Sequence, residues 1–287
     1  MSQSDLSAAY VLHYSEYRDT SFIVEFFTLN HGRLSLMARG GRSGKSRTRA
    51  LYQPFRPLLI SFVGDSEFKT LSHIEGSGTG VELLSEPLAC AYYLNELLIR
   101  LLPKGQTQSM LFAHYAVALA ELETIQKGSH AQNGATAQHE KQPERDMSEE
   151  LEIVLRTFEL QLLEAIGLSP DFKHCTADSS LVDKQAIYRF FLHNSQAIPV
   201  PEERMMIEKT DPMLGAGVHA DGVTSEKGIE ISGRTLHAIS ELDFTDTHVR
   251  AEAKVLMRNI LRLHLGDQPL KSRKMFSSYT SSRTAQS

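Results

Sequence analysis

The sequence predicts an α+β chain, in which a small barrel or sandwich of five short strands is followed by a mainly helical remainder. Two features carry the prediction. Residues 1–80 break into short runs rich in β-branched and aromatic residues, separated by turn signals. Near residue 87 the texture changes, and the apolar residues recur at helical spacing over longer runs.

The elements follow in order. "AAYVLHYSEYR" and "SFIVEFFTL" are strand candidates, the second ending at the turn signal "NHG". "RLSLMA" alternates, with Leu34, Leu36 and Ala38 on one face. "PFRPLLISFVG" and "EFKTLSHIE", divided by "GDS", complete the five. A five-stranded oligonucleotide-binding type of barrel is one arrangement that fits, but strand number alone does not select it. "EPLACAYYLNELLIRLLP" reads as a buried helix with Pro87 in its first turn and Pro103 at its end. "SMLFAHYAVALAELETI" continues helically, and residues 126–150 are polar enough to read as a flexible insertion. "LEIVLRTFELQLLEAIG" is an amphipathic helix with Gly167 as its cap, and "SLVDKQAIYRFFLHN" is read as one more helix. Residues 199–230 have no firm assignment. "HVRAEAKVLMRNILRLHLG" is a final helix before a basic tail. The expected organisation is a β domain over 1–80, a helical domain over 81–272 and a tail over 273–287.

A hydrophobic content of 41% and a charged content of 23% are ordinary for a globular protein. The net charge of −5 announces no general affinity for nucleic acid, but residues 1–80 alone carry +2. Cys90 and Cys175 stand far apart and build no disulfide framework. The opening residues lack the pattern of a secretory leader, and no apolar run approaches the roughly 18 residues that span a bilayer. A cytoplasmic, reduced protein without membrane contact is expected.

The most pointed feature is "RGGRSGKSRTR", residues 39–49, where Arg39, Arg42, Lys45, Arg47 and Arg49 occur without one carboxylate. Its "GGRSGKS" imitates a phosphate-gripping loop, yet the first glycine of that motif would fall at Arg39, and the residues before Pro54 are too few for the supporting helix. A flexible, glycine-bearing run of cations suits the backbone of a nucleic acid better, since each phosphate contact releases counterions. Tyr52 and Phe55 flank it as possible stacking rings, although Phe55 also suits a strand core. Elsewhere, His174, Cys175 and His193 have no recognised zinc spacing, and no metal or other cofactor is expected. Asn95 and Glu96 are polar residues in an apolar helix and should bond to a neighbouring element, Glu96 as a salt bridge across a domain interface being one option. No catalytic motif is visible.

The ordered series "YVLHYSEYRDTSFIVEFFTLNHGRLSLMARGGR", "LYQPFRPLLISFVGDSEFKTL", "AYYLNELLIRLLP", "RTFELQLLEAIGLSPDFKHC" and "LHLGDQPLKSRKMF" resembles the bacterial RecO family of DNA repair and recombination mediators. The resemblance implies an N-terminal five-stranded OB-fold barrel followed by a mainly α-helical C-terminal domain. It implies a non-enzymatic protein, cytoplasmic and nucleoid-associated, that binds single- and double-stranded DNA and anneals complementary strands. RecR and the single-strand-binding protein are its implied partners, with RecA loaded indirectly. Many relatives carry a four-cysteine zinc site, whereas this chain has only Cys175 in that region, so no zinc is expected.

On this reading the 39–49 stretch, with Arg18, Arg33 and Arg56, holds one strand, and Lys271, Arg273 and Lys274 of the tail offer a second contact. Arg156 beside Leu160 and Leu163 is a candidate groove for the acidic, apolar-tipped tail of the single-strand-binding protein. The competing class is a protein-interaction scaffold whose barrel binds a protein. A nuclease or ATPase would instead show turnover.

Overall fold

The computed structural model describes residues 4–40, 48–64, 69–132, 146–200, 228–266 and 268–272. The chain divides into two compact units, one running from the N-terminus through Leu168 with residues 268–272 rejoining it, the other Ser169–Gly266. The division falls after the third helix rather than near residue 80, because the first three helices pack with the barrel.

Five strands close the barrel in the order β1-β2-β3-β5-β4: β1 Ser7–Tyr17, β2 Ser21–Thr28, β3 Gly32–Ala38, β4 Leu58–Val63 and β5 Lys69–Gly76. Alternation determines its interior, with Phe22, Val24 and Phe26 from β2 meeting Leu34, Leu36 and Ala38 from β3. Ala9, Val11, Leu58 and Ile60 close the core from the other side. All neighbours are antiparallel except β3 and β5, which pair in parallel. Consequently β1, β3 and β5 run one way and β2 and β4 the other. One end of the barrel, here the distal end, gathers the β1–β2 turn, the β3–β4 connection and the exit of β5. The proximal end holds the β2–β3 turn and the start of β5.

Three helices pack against the barrel, and the connection between the first two docks on its proximal end. Helix α1 spans Ser85–Leu101, α2 Ser109–Gln132 and α3 Met147–Ala165. The α1–α2 connection docks on the β2–β3 turn: Thr107 Oγ1 donates to the Asn30 carbonyl at 2.8 Å, and the Gly105 N–H to the Arg33 carbonyl at 2.9 Å. The approach is so close that a Cβ on Gly32 would lie 1.8 Å from the Gln106 carbonyl oxygen, and its φ of +63° independently favours glycine. Tyr10 and Phe27 pack on Phe112 of α2 with ring centroids 5.5 and 5.4 Å apart. Gly167 ends α3 at φ +71°, as expected of a cap, and the next N–H, that of Leu168, donates back to the Leu163 carbonyl at 2.8 Å. Helix α2 runs to Gln132, into the stretch read as a polar insertion, and α3 resumes at Met147.

The second unit is a three-stranded antiparallel sheet in the order β7-β6-β8, with β6 Ile187–Phe191, β7 Gln196–Pro199 and β8 Ile229–Ser232. Helices α4 Gly233–Ser240 and α5 Thr247–Leu265 follow, capped by Ser232 and Asp246. The helix expected over 180–194 is not formed, and Ile187–Phe191 within it is a strand instead. Tyr188 and Phe190 are buried while Ile187, Arg189 and Phe191 are not, a period of two over a run too short for a helix.

Candidate nucleic-acid interface

Among the described residues, the strand register brings Arg18, Arg39, Arg49 and Arg56 to the distal end of the barrel, and Arg33 to the other. Tyr17 faces Ser21 across the β1–β2 turn, and Arg18 occupies the turn in the left-handed region at φ 51°. Its guanidinium lies 5.2 Å from the Tyr17 ring centroid. One strand over, Phe22 faces Ala38, so exposed Arg39 emerges from β3 beside that turn. Arg42, Lys45 and Arg47 lie outside the described residues. The chain returns in a single 3-10 turn, Arg49–Tyr52, with Arg49 exposed and Tyr52 buried against Phe22 at 5.5 Å between ring centroids. Arg56, half-buried, is held next to the segment leaving β5, where a Cβ on Gly80 would come within 3.2 Å of the Arg56 Cα. Glu16 and Asp19 are exposed near the same turn, so the end is of mixed charge, weighted to cations by the β3–β4 connection.

Arg33 is the exception. It stands at the start of β3, at the proximal end, and its side chain is largely enclosed. One guanidinium N–H pairs with Glu25 at 3.1 Å, and Nε donates to the Leu102 carbonyl at 2.8 Å. Lys104 approaches the same carboxylate at 3.4 Å. The sequence shows the cation but not the register that supplies Glu25 and the helix connection, so Arg33 leaves the set of strand-gripping residues.

The two rings expected beside the cations are core. Tyr52 is 4% exposed and Phe55 5%, and Phe55 packs edge-on to Tyr92 at 5.1 Å. Burial also pushes the pKa of the Tyr52 hydroxyl above its usual 10.0, against a hydrogen bond with Thr48 that lowers it. Sequence reading passed over Tyr14, which is 41% exposed on the upper half of β1. The available signal was a tyrosine inside the polar run "HYSEY", where a strand with one buried face would not place three exposed neighbours together.

The remaining expectations separate. Arg156 is buried in α3, where Nη2 bonds Glu159 Oε1 at 2.7 Å, and Tyr93 donates to the same oxygen at 2.5 Å. Leu160 and Leu163 are 5% and 0% exposed. These three side chains form helix packing, not a groove, which corrects their assignment to a partner's tail. Asn95 and Glu96 do bond neighbouring elements. Asn95 Nδ2 donates to the Leu12 carbonyl at 2.9 Å and Tyr115 donates to Asn95 Oδ1 at 2.6 Å. Glu96 accepts from the backbone N–H groups of Lys271 and Ser272, both at 2.9 Å, within one unit and not across a domain interface. Lys271 is exposed, while Arg273 and Lys274 lie outside the described residues. His174 bonds Asp171 and Cys175 is buried. Among the described residues no three His, Cys, Asp or Glu side chains are placed to hold a metal ion. No described helix is long and apolar enough to cross a membrane.

Comparison with known proteins agrees with the architecture. The family model described as Recombination protein O N terminal matches residues 1–79, and that described as Recombination protein O C terminal matches residues 145–274. The DNA repair protein RecO of Methylococcus capsulatus is 37% identical over 273 residues, 95% of this chain and 93% of its own. Those of Haemophilus influenzae (strain PittGG) and Dechloromonas aromatica are each 34% identical, over 96% of both chains. With both halves matched and relatives aligned almost end to end, this chain belongs to the RecO family of DNA repair proteins.

Proposed function

We propose that the chain is a non-enzymatic recombination mediator that grips DNA at the distal end of its barrel. The observation that supports this reading most is the strand direction, which brings the turn of Arg18, the exit of Arg39 and the return at Arg49 to one end while the α1–α2 connection docks on the other. Cations spaced along a glycine-bearing sequence suit a phosphate chain without demanding one rigid shape. Neutralising phosphates also lowers the repulsion between two strands, so complementary strands anneal without a nucleotide cofactor. The wider role, acting with RecR and the single-strand-binding protein to load RecA on gaps, rests on family membership.

The test is binding of a fluorescent single strand across a salt series, wild type beside a folded variant with Arg39, Arg42, Lys45, Arg47 and Arg49 changed to Ala. Each phosphate contact contributes about 0.7 to the log–log salt slope for a single strand. Five lost contacts therefore flatten the slope by roughly 3 and weaken binding accordingly. Equal binding by both proteins removes the site from this end. A shallow slope in the wild type, with tight binding to a protein partner, selects the scaffold instead. Turnover of ATP or cleavage of DNA with Mg²⁺ overturns the non-enzymatic reading.

A further inference from the structure

We infer that Tyr14 is a base-stacking platform, which makes the distal end a site for single-stranded nucleic acid with unstacked bases rather than for duplex. The inference rests on the preceding reading of that end as a DNA grip and adds which form of DNA it selects.

The geometry begins with the unequal pairing of β1. The strand pairs with β2 from Ala9 through Tyr17, but with β4 only over Ser7–Ala9. Among the described residues its later half pairs with no strand on the β4 side, and residues 13–16 there are exposed. Residues directly opposite each other in an antiparallel pair point to the same face. Tyr14 faces Val24, whose side chain is wholly inside the barrel, so Tyr14 belongs to the inner face of β1 and not to its outer one. A register shift between Val11 and His13 sets this phase. Without it Tyr14 would point the other way.

The ring is held. It meets Phe22 at 5.2 Å and 70°, and Phe22 meets Tyr52 at 5.5 Å and 62°. Tyr52 is the last residue of the turn that carries Arg49 back from the cationic connection. Three rings thus run from the barrel interior to the surface, two buried and the outermost 41% exposed. A ring braced on one side and open on the other costs little entropy when a base stacks on it. Arg18 follows four residues on, just past the end of β1, and Arg39 emerges from β3, two strands away at the same end of the barrel, so cations stand on either side of the ring as a sugar–phosphate chain requires. Glu16, also on the inner face, favours the base over the phosphate at the position between Tyr14 and the turn. Bases in a duplex present only their edges to a groove, so a duplex gains nothing from this ring.

The test uses the full chain with a fluorescent oligothymidylate and a duplex of equal length, each across a salt series. Variants are Tyr14→Ala, Tyr14→Leu and Tyr14→Phe, each checked for unchanged thermal unfolding. Loss of one stacked base weakens binding about 5- to 150-fold. Tyr14→Ala and Tyr14→Leu are expected to lose that much for the single strand, stay within about two-fold for the duplex, and keep the wild-type salt slope, because no phosphate contact is removed. Tyr14→Phe retains the ring and binds as wild type. Equal weakening of single strand and duplex, or none in Tyr14→Ala, overturns the stacking role while a steep wild-type slope leaves the cationic grip standing. A wild type without salt-dependent binding overturns both. Tyr14→Leu binding as well as Tyr14→Phe also overturns it, since apolar bulk alone would then suffice.

Discussion

Replacing Asn95 with leucine is predicted to loosen the barrel from its helices by about 2–6 kcal/mol. Asn95 is 2% exposed and makes two bonds that nothing else is placed to make. Its amide satisfies the carbonyl of Leu12, the residue at the β1 register shift, where the strand ladder leaves a group without a partner. Its carbonyl receives the hydroxyl of Tyr115, which is fully buried, so that burial holds the hydroxyl pKa well above 10.0. Leucine matches asparagine in branching, so no cavity is left, but its methyl groups are bulkier than the amide atoms and overpacking adds to the cost. Two buried polar groups lose their partner, each costing roughly 1–3 kcal/mol.

Urea unfolding of the full chain measures this effect, and the chain has no tryptophan, so circular dichroism is the probe. Tyr115→Phe separates the two bonds. Alone it costs about 1–2 kcal/mol, because Asn95 keeps an unmet acceptor. Combined with Asn95→Leu it adds much less than that, because the hydroxyl it removes was already without its partner. A cost below about 0.5 kcal/mol for Asn95→Leu, or full additivity in the double variant, would refute the network and with it the account of how the β1 shift is held.

Two further predictions follow. Arg33→Ala should lower stability by about 1–3 kcal/mol, from its lost bonds to Glu25 and the Leu102 carbonyl, and leave the salt slope of DNA binding unchanged; a flattened slope would return Arg33 to the grip. Burial alone would raise the pKa of Glu96, but hydrogen bonds from Ser272 and Lys271, with the charge of Arg100, bring it below its ordinary 4.5. Its contribution to holding the tail is therefore complete above 4.5 and lost as pH falls through the lowered value. Hydrogen exchange at the Lys271 and Ser272 amides should quicken over that window in wild type and stay fast throughout in Glu96→Gln. Equal acid sensitivity of the two proteins would place the titrating group elsewhere.

What the sequence disclosed and what it withheld divide along a physical line. Strands such as β3 were legible because one face is core, so Leu34, Leu36 and Ala38 announce a period of two. Gly167 was legible because a left-handed cap selects glycine. The run around Tyr188 and Phe190 misled, because five residues with mixed apolar content fit either period, and the partners that choose, β7 and β8, are not local. The site was half legible for a similar reason. Composition shows that Arg39 and Arg49 are cations in a glycine-bearing stretch without a carboxylate. It does not show that Arg33, six residues before Arg39, lies at the opposite end of the barrel and is bonded there by Glu25, nor that Tyr52 is buried while Tyr14, on the inner face of β1, reaches the surface. Those facts depend on register, and register is set by pairing between distant segments.

Charge explains why such a site belongs on this protein at all. The first eighty residues carry +2 and the rest −7, so the whole molecule does not attract a polyanion. At physiological salt charges are screened beyond about 8 Å, so what a phosphate meets is the local cluster and not the sum. A mildly acidic remainder then has a use. On the proposed reading it discourages DNA from lying elsewhere on the protein and leaves the distal end as the place where approach is favoured. A uniformly basic protein would coat a strand in any orientation, and each strand so covered would present cations to the next without leaving its bases accessible. Confinement to one end keeps most of a bound strand uncovered, and the stacking of a few bases on Tyr14 need not prevent the rest from pairing. On the proposed reading, annealing depends on that economy of contact, and widening the grip with cations on the helical unit should tighten binding while slowing the pairing of strands.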